Sequence, residues 1–259
     1  MKSDYNIALI GAGNVATHLG KAFARSGVSV RYVAARTIEN AQNLANKLGA
    51  KAYINISDIP TDVDFVIIST SDTSVGDVAK MLKPSEAVVV HTSGSVEMSV
   101  LGKYHKRCGV LYPLQTFSKD VEVDIAKVPF FIEGDTEIGK LAHKISNNIY
   151  HADSQKRKAL HVAGVLTSNF PIYLLQIAER ALSAEGFPLE VVRPLIEVSI
   201  EKAFNVKPEN ALTGPARRGD LQTIRKHINS LSETDAEIYR IISNAILKQY
   251  HNEQHSIPN

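Results

Sequence analysis

Gly11 and Gly13, with Ala16 three residues further on, stand in the stretch IALIGAGNVATHLGKAF at residues 7–23. That spacing can cradle a pyrophosphate. The first glycine permits a tight turn, the second lets backbone N–H groups approach phosphate oxygens, and Ala16 lets strand and helix pack closely. The helix that follows adds partial positive charge at its N-terminus. Gly11, Ala12, Gly13, Asn14 and Val15 are therefore expected to hold a dinucleotide. A plain turn needs no ligand, but this one follows an apolar strand, opens a helix and sits in a βαβ unit, as the fingerprint demands.

The end of the second strand selects the cofactor. An NAD site places Asp or Glu there to accept hydrogen bonds from the ribose 2′-OH. Here YVAARTIEN puts Ala34 and Ala35 ahead of Arg36 and Thr37. No carboxylate stands there to repel a 2′-phosphate, and the Arg36 guanidinium can grip one through two parallel hydrogen bonds. The expected cofactor is NADP(H).

Ligands of open α/β sheets bind outside the carboxyl ends of the strands. Ser69-Thr70-Ser71-Asp72 and HTSGS (91–95) close two such strands, and YPLQTFS (112–118) closes another. Ser69 and Thr70 are expected beside the cofactor, with His91, Thr92, Ser93, Gly94 and Gln115 in a substrate pocket. Short polar residues also favour loops and helix caps without any ligand. Further along, His161 and Asn169 lie on an apolar helix, on similar faces and roughly 12 Å apart along its axis. They are the candidate catalytic pair. A histidine there can act as a general acid or sit as a hydrogen-bonded core residue. In LTGPARRGD (212–220), Asp220 can cap a helix, while Arg217 or Arg218 can reach an anionic substrate or the cofactor; Arg217 is placed in the pocket. His251 and His255 have the spacing of two metal ligands on one helical turn but no third ligand nearby, and no metal is expected.

These residues need elements to hold them. Apolar runs at 5–10, 28–34, 64–69 and 87–91 have strand length, and the segments between the first three carry helical patterns such as Val15, Leu19, Ala22 and Phe23. Further strands are expected through GVLYP (109–113) and PFFIEG (129–134). From about residue 153 the pattern turns helical. SQKRKALHVAGVLTSNFPIYLLQIAERALSAEG reads as one long helix, and Pro171 should loosen the turn before it. PLEVVRPLIEVSIEKAF begins on a helix-starting proline, and helices follow at about 218–231 and 234–250. The expected fold is α/β: an N-terminal doubly wound (Rossmann) parallel sheet over 1–152 and a C-terminal all-α domain over 153–259. The tail HNEQHSIPN reads as frayed.

The 259 residues carry a net charge of +2 with the signs interspersed, which points to no nucleic acid or other polyanion. Cys108 is the single cysteine, so neither an internal disulfide nor a thiolate cluster can form. No leader-like segment opens the chain and no stretch approaches about 20 apolar residues, so a soluble cytoplasmic protein without membrane contact is expected. Val162, Val165, Leu166, Phe170, Ile172, Leu174 and Leu175 make the long helix apolar on several sides, which predicts a homodimer.

The N-terminal half resembles the NADP-binding domain of pyrroline-5-carboxylate reductase, ketopantoate reductase and the β-hydroxyacid dehydrogenases. HTSGS, YPLQTFS, LHVAGVLTSNF (160–170) and LTGPARRGD are similar to a family of Rossmann-like oxidoreductases with a C-terminal helical domain called DUF2520. The resemblance spans nearly the whole chain and implies the fold and the cofactor, not the substrate. One departure matters. The β-hydroxyacid dehydrogenases carry Lys-x-x-x-Asn on the first long helix of the second domain; Asn169 matches the asparagine, but Val165 stands at the lysine's position. The resulting expectation is hydride transfer between NADP(H) and a small anionic carbonyl or imine compound, in a cleft between the two domains formed by HTSGS of the sheet and the 161–169 helix face of the helical domain. An F420-dependent NADP oxidoreductase and a non-enzymatic NADP(H)-binding sensor are the alternative readings.

Overall fold

The computed structural model describes residues 5–251 and 257. Two compact units divide the chain, 1–169 and 170–259.

The first unit is built on strands β1 (Asn6–Ile10), β2 (Ser29–Ala34), β3 (Lys51–Tyr53), β4 (Phe65–Ile68), β5 (Val88–His91), β6 (Cys108–Pro113), β7 (Phe130–Gly134) and β8 (Ile149–His151). They form one sheet in the order β3-β2-β1-β4-β5-β6-β7-β8. All neighbours pair in parallel except β6 and β7, which run antiparallel, so the expected parallel sheet gains one reversal. The order reverses at β1, flanked by β2 and β4, which opens a crevice at the carboxyl ends of these strands. Both faces are covered. Along β1, Ile7 and Leu9 join a core with Leu19 and Phe23 of α1 (Asn14–Arg25), and Ala8 and Ile10 join another with Val75 and Val78 of α3 (Val75–Met81). Two-sided burial explains why these strands read as unbroken apolar runs.

β3 and β8 were absent from the sequence reading. Each has three residues and exists through pairing with β2 or β7. Helices α2 (Ile38–Leu48), α4 (Ser99–Gly102) and α5 (Glu137–Ala142) complete the layers.

The long helix forms as expected. Helix α6 (Ser154–Gly164) passes through a π-helical segment at Val165–Asn169 into α7 (Phe170–Ala184). Pro171 has no N–H to offer the carbonyl four residues back, and Thr167 Oγ1 bonds the Ala163 carbonyl at 2.8 Å, so the ladder widens there. Against the expectation of no such stretch, this 31-residue run reaches a mean hydropathy of 1.2 over 18 residues, and is long and apolar enough to cross a membrane by length and composition.

In the second unit, Pro188 opens only a short 3₁₀ turn, and α8 (Arg193–Val206) starts later with Pro194 in its first turn. Helices α9 (Pro208–Ala211), α10 (Pro215–Arg218), α11 (Leu221–Asn229) and α12 (Glu233–Tyr250) follow. Asp220 does cap α11, accepting from Thr223 N at 3.0 Å. Ala216, Ile224, Leu247 and Ile257 form a small core, and Arg180 of α7 grips Asp235 of α12 through two bonds of 3.0 and 2.6 Å. Within the tail expected to fray, Ile257 is held by two backbone hydrogen bonds to the Asn244 side chain. His255 lies outside the described residues.

Candidate functional site

The glycine loop leaves β1 through a 2.7 Å bond from Gly11 N to the Ala34 carbonyl. Gly11 has φ +119, and a Cβ there would sit 2.3 Å from the Ser69 carbonyl oxygen, so only glycine fits. Ala12 packs partly buried against the sheet core. Gly13 is the N-cap of α1 and faces open space. No side chain caps this helix and no acid stands in its first turn. Its leading N–H groups therefore point from a glycine bend into the crevice with no side chain to satisfy them, the arrangement that binds an anion. Asn14 Nδ2 donates to the Phe117 carbonyl at 2.7 Å, tying the loop to the segment after β6.

At the end of β2, Arg36 is exposed and has no hydrogen bond or ion pair among the described residues. Thr37 caps α2, with Asn40 N donating to Oγ1 at 3.4 Å. Across the switch point, Ser69 Oγ accepts from Thr92 Oγ1 at 3.3 Å, and Thr70 Oγ1 is buried without a partner among the described residues.

A cavity of about 500 Å³ lies beside these groups, lined entirely from the first unit. It brings together Val15, Thr70, Thr92, Ser93, Gly94 and Gln115 with His161 and Asn169. The HTSGS loop and the 161–169 helix face thus meet within one compact unit. A larger hollow of about 810 Å³ along α1 and residues 119–126 is lined by charges of both signs, among them the exposed pair Arg25–Glu122, and reads as solvated surface.

Two residues placed in the pocket from sequence are not among those that line this cavity. Arg217 belongs to the second unit, where its guanidinium stands over the Tyr250 ring at 3.9 Å. His91 is fully buried and does not line the cavity. Its Nδ1 accepts from Ser93 N at 3.2 Å, so the neutral ring carries its proton on Nε2, which has no partner. Burial, with the Arg157 charge adding to it, pushes its pKa down to about 4. His91 therefore props the Thr92–Gly94 turn from beneath.

Three contributors had no role assigned from sequence, although two of them lie in the strand-end stretches 69–72 and 112–118. Tyr112, near the end of β6, enters the cavity, and its Oη lies 3.4 Å from His161 Nδ1. Asp72 lines the rim and accepts from Ser95 Oγ. Arg157, fully buried on α6, pairs with Glu133 and donates to the Val96 carbonyl at 2.6 Å. The positions of Tyr112 and Asp72 at the carboxyl ends of strands were the available signal. Nothing marked Arg157, which stands in the apparently solvated run SQKRK.

Residues 128–246 match the family described as Domain of unknown function (DUF2520), and residues 1–94 match Shikimate / quinate 5-dehydrogenase. No curated protein matches. The crystal structure titled "putative NADP oxidoreductase BF3122 from Bacteroides fragilis" is 36% identical, covers 95% of this chain and 99% of that one, and superposes with a TM-score of 0.87. Protein TM1727 from Thermotoga maritima is 25% identical over 96% of this chain and 99% of its own, with a TM-score of 0.68. An imine reductase from Myxococcus stipitatus in complex with NADP+ shares the fold at 18% identity, covering 94% and 92% with a TM-score of 0.64.

Proposed function

Because the chain belongs to the family of Rossmann-type NADP oxidoreductases with a C-terminal DUF2520 domain, we propose that it transfers a hydride between NADP(H) and a small carbonyl or imine compound held in the 500 Å³ cavity. The observation that carries this reading is the glycine bend that aims an uncapped helix N-terminus into the crevice beside that cavity. The residues present fit the cofactor. Gly11 and Gly13 leave room for backbone N–H groups to meet a pyrophosphate, Arg36 is unpaired for a 2′-phosphate, and Thr70 Oγ1 is a buried hydroxyl in want of a partner. Bound NADPH supplies a hydride. The chain positions the acceptor, with Asn169 and Gln115 offering amides, and His161 and Tyr112 bearing the titratable groups.

The sequence suggested an anionic substrate, within reach of Arg217 or Arg218 of the second unit. Among the lining residues there is no lysine or arginine, and the Asp72 carboxylate disfavours an anion. The lining by itself favours a neutral or protonated substrate.

NADPH should bind more tightly than NADH. Replacing Arg36 with alanine should remove about 1.5–3 kcal/mol from NADPH binding, roughly a 10- to 100-fold loss, and leave NADH unchanged. Calorimetric titration of both cofactors against both proteins checks this; equal affinities in the wild type would sink the assignment.

The homodimer belongs to the same reading. Neither α7 nor α8 has a buried residue, and Leu195, Val198 and Phe204 are 67, 63 and 87% exposed. An apolar surface of this extent is the mark of an interface, and a second copy covering it accounts for the apolar length of the helix. Light scattering at micromolar concentration should give twice the chain mass. A monomer would refute it.

A further inference from the structure

We propose that Tyr112 is the proton donor of the reaction, and that His161 re-supplies its proton from solvent. The inference rests on the reductase reading and assigns a role that sequence gave to His161 alone. Tyr112 is 7% exposed, lines the cavity, and points its phenol at the helix face carrying His161 and Asn169. The two rings meet edge-on, with centroids 6.3 Å apart and Oη 3.4 Å from Nδ1. The loop opposite is shaped around the phenol. A Cβ at Gly94 would lie 2.7 Å from the Tyr112 ring and 3.0 Å from His161 Nδ1, so a side chain there would part the pair. Glycine stands in HTSGS where the tyrosine must approach.

The environment keeps this phenol protonated. Burial raises its pKa, the Asp72 carboxylate raises it further, and the Arg157 charge opposes only in part. A protonated phenol in a cavity is an acid. His161 is exposed on its helix, so it can exchange protons with water while its Nδ1 faces the phenol. In the step, the Tyr112 Oη–H bond breaks and an N–H or O–H bond forms on the substrate heteroatom. The adjoining carbon takes the hydride that NADPH supplies. His161 then returns a proton from Nδ1 to Oη and recovers one from water. One hydride and one proton thus convert C=N or C=O to the amine or alcohol.

The test uses the full chain with NADPH and a set of small ketones, aldehydes and cyclic imines, 2-methyl-1-pyrroline among them. Tyr112→Phe keeps the ring and removes only the hydroxyl. It should lower kcat by roughly 100-fold or more on whichever compound the wild type reduces, with NADPH affinity unchanged. His161→Gln should lower kcat less, because water can reach the phenol where the imidazole was. Independently of turnover, ¹⁵N NMR of labelled histidine should show the His161 Nδ1 resonance moving in Tyr112→Phe. Normal turnover by Tyr112→Phe, or an unmoved His161 resonance, overturns the assignment while leaving the reductase reading intact. A wild type that binds NADPH yet reduces none of the compounds overturns the reductase reading, and this inference with it.

Discussion

Replacing Arg157 with alanine is expected to lower the stability of the protein by about 3–5 kcal/mol, the scale of breaking a buried ion pair from one side. The side chain is fully buried. It pairs with Glu133 of β7, donates to the Val96 carbonyl at 2.6 Å and lies 3.3 Å from Ser154 Oγ, which itself donates to Glu133 at 3.2 Å. Alanine would leave a largely buried carboxylate and a carbonyl without their donor. Arg157→Lys should recover little, since one ammonium cannot span the fork that a guanidinium fills. Arg157→Met combined with Glu133→Gln should recover most of the loss, because removing both charges leaves no unpaired ion. Urea denaturation of the single and double variants measures this. A loss under about 1 kcal/mol for Arg157→Ala would contradict the role. The consequence reaches the site as well. Arg157 is one helical turn before His161, so the same anchor that ties α6 to the sheet sets the imidazole against Tyr112.

That anchor also marks where the sequence stopped being legible. Strands buried on both faces announce themselves, because Ile7 to Ile10 or Val88 to Val90 have no polar side to show. The glycine loop was equally open to reading, since Gly11 answers to a backbone angle and a close approach that no other residue tolerates. The loosened turn before Pro171 followed from a missing donor, and the π-helical segment Val165–Asn169 appears there. β3 and β8 were not legible. A three-residue strand has too few positions for a period, and it is defined by a neighbour the local sequence does not contain. The same limit applies to individual side chains. Arg157 stands in a charged stretch that looks solvated, and Arg217 was placed in the pocket; tertiary structure buries the first and lays the second over Tyr250. His91, expected in the pocket, faces inward from the last position of β5.

His91 gives the second large effect, and it is a pH dependence. A histidine titrates near 6.5 when unfolded, whereas this one is held down to about 4 in the fold. Between those values the unfolded chain binds a proton that the folded chain refuses. Stability therefore rises with pH across this window. The contribution is fully present above about pH 6.5 and lost as pH falls towards 4, a difference of about 3 kcal/mol. Carboxylates such as Asp235, which its Arg180 partner holds below the usual range, give up their contribution lower down, so the two limbs separate. His91→Asn offers a control: its amide oxygen can still accept from Ser93 N but cannot take a proton near neutrality. Unfolding free energies measured from pH 7 to 4.5 should fall more steeply in the wild type than in His91→Asn, by up to about 1.4 kcal/mol per pH unit. Parallel curves would refute the assignment. Arg157→Met links the two predictions, since removing that positive charge should let the His91 pKa rise and narrow the window. Protonation of Nδ1 in the folded protein also ends its acceptance of the Ser93 N–H, so the Thr92–Gly94 turn loses its prop only near pH 4, at the bottom of that window.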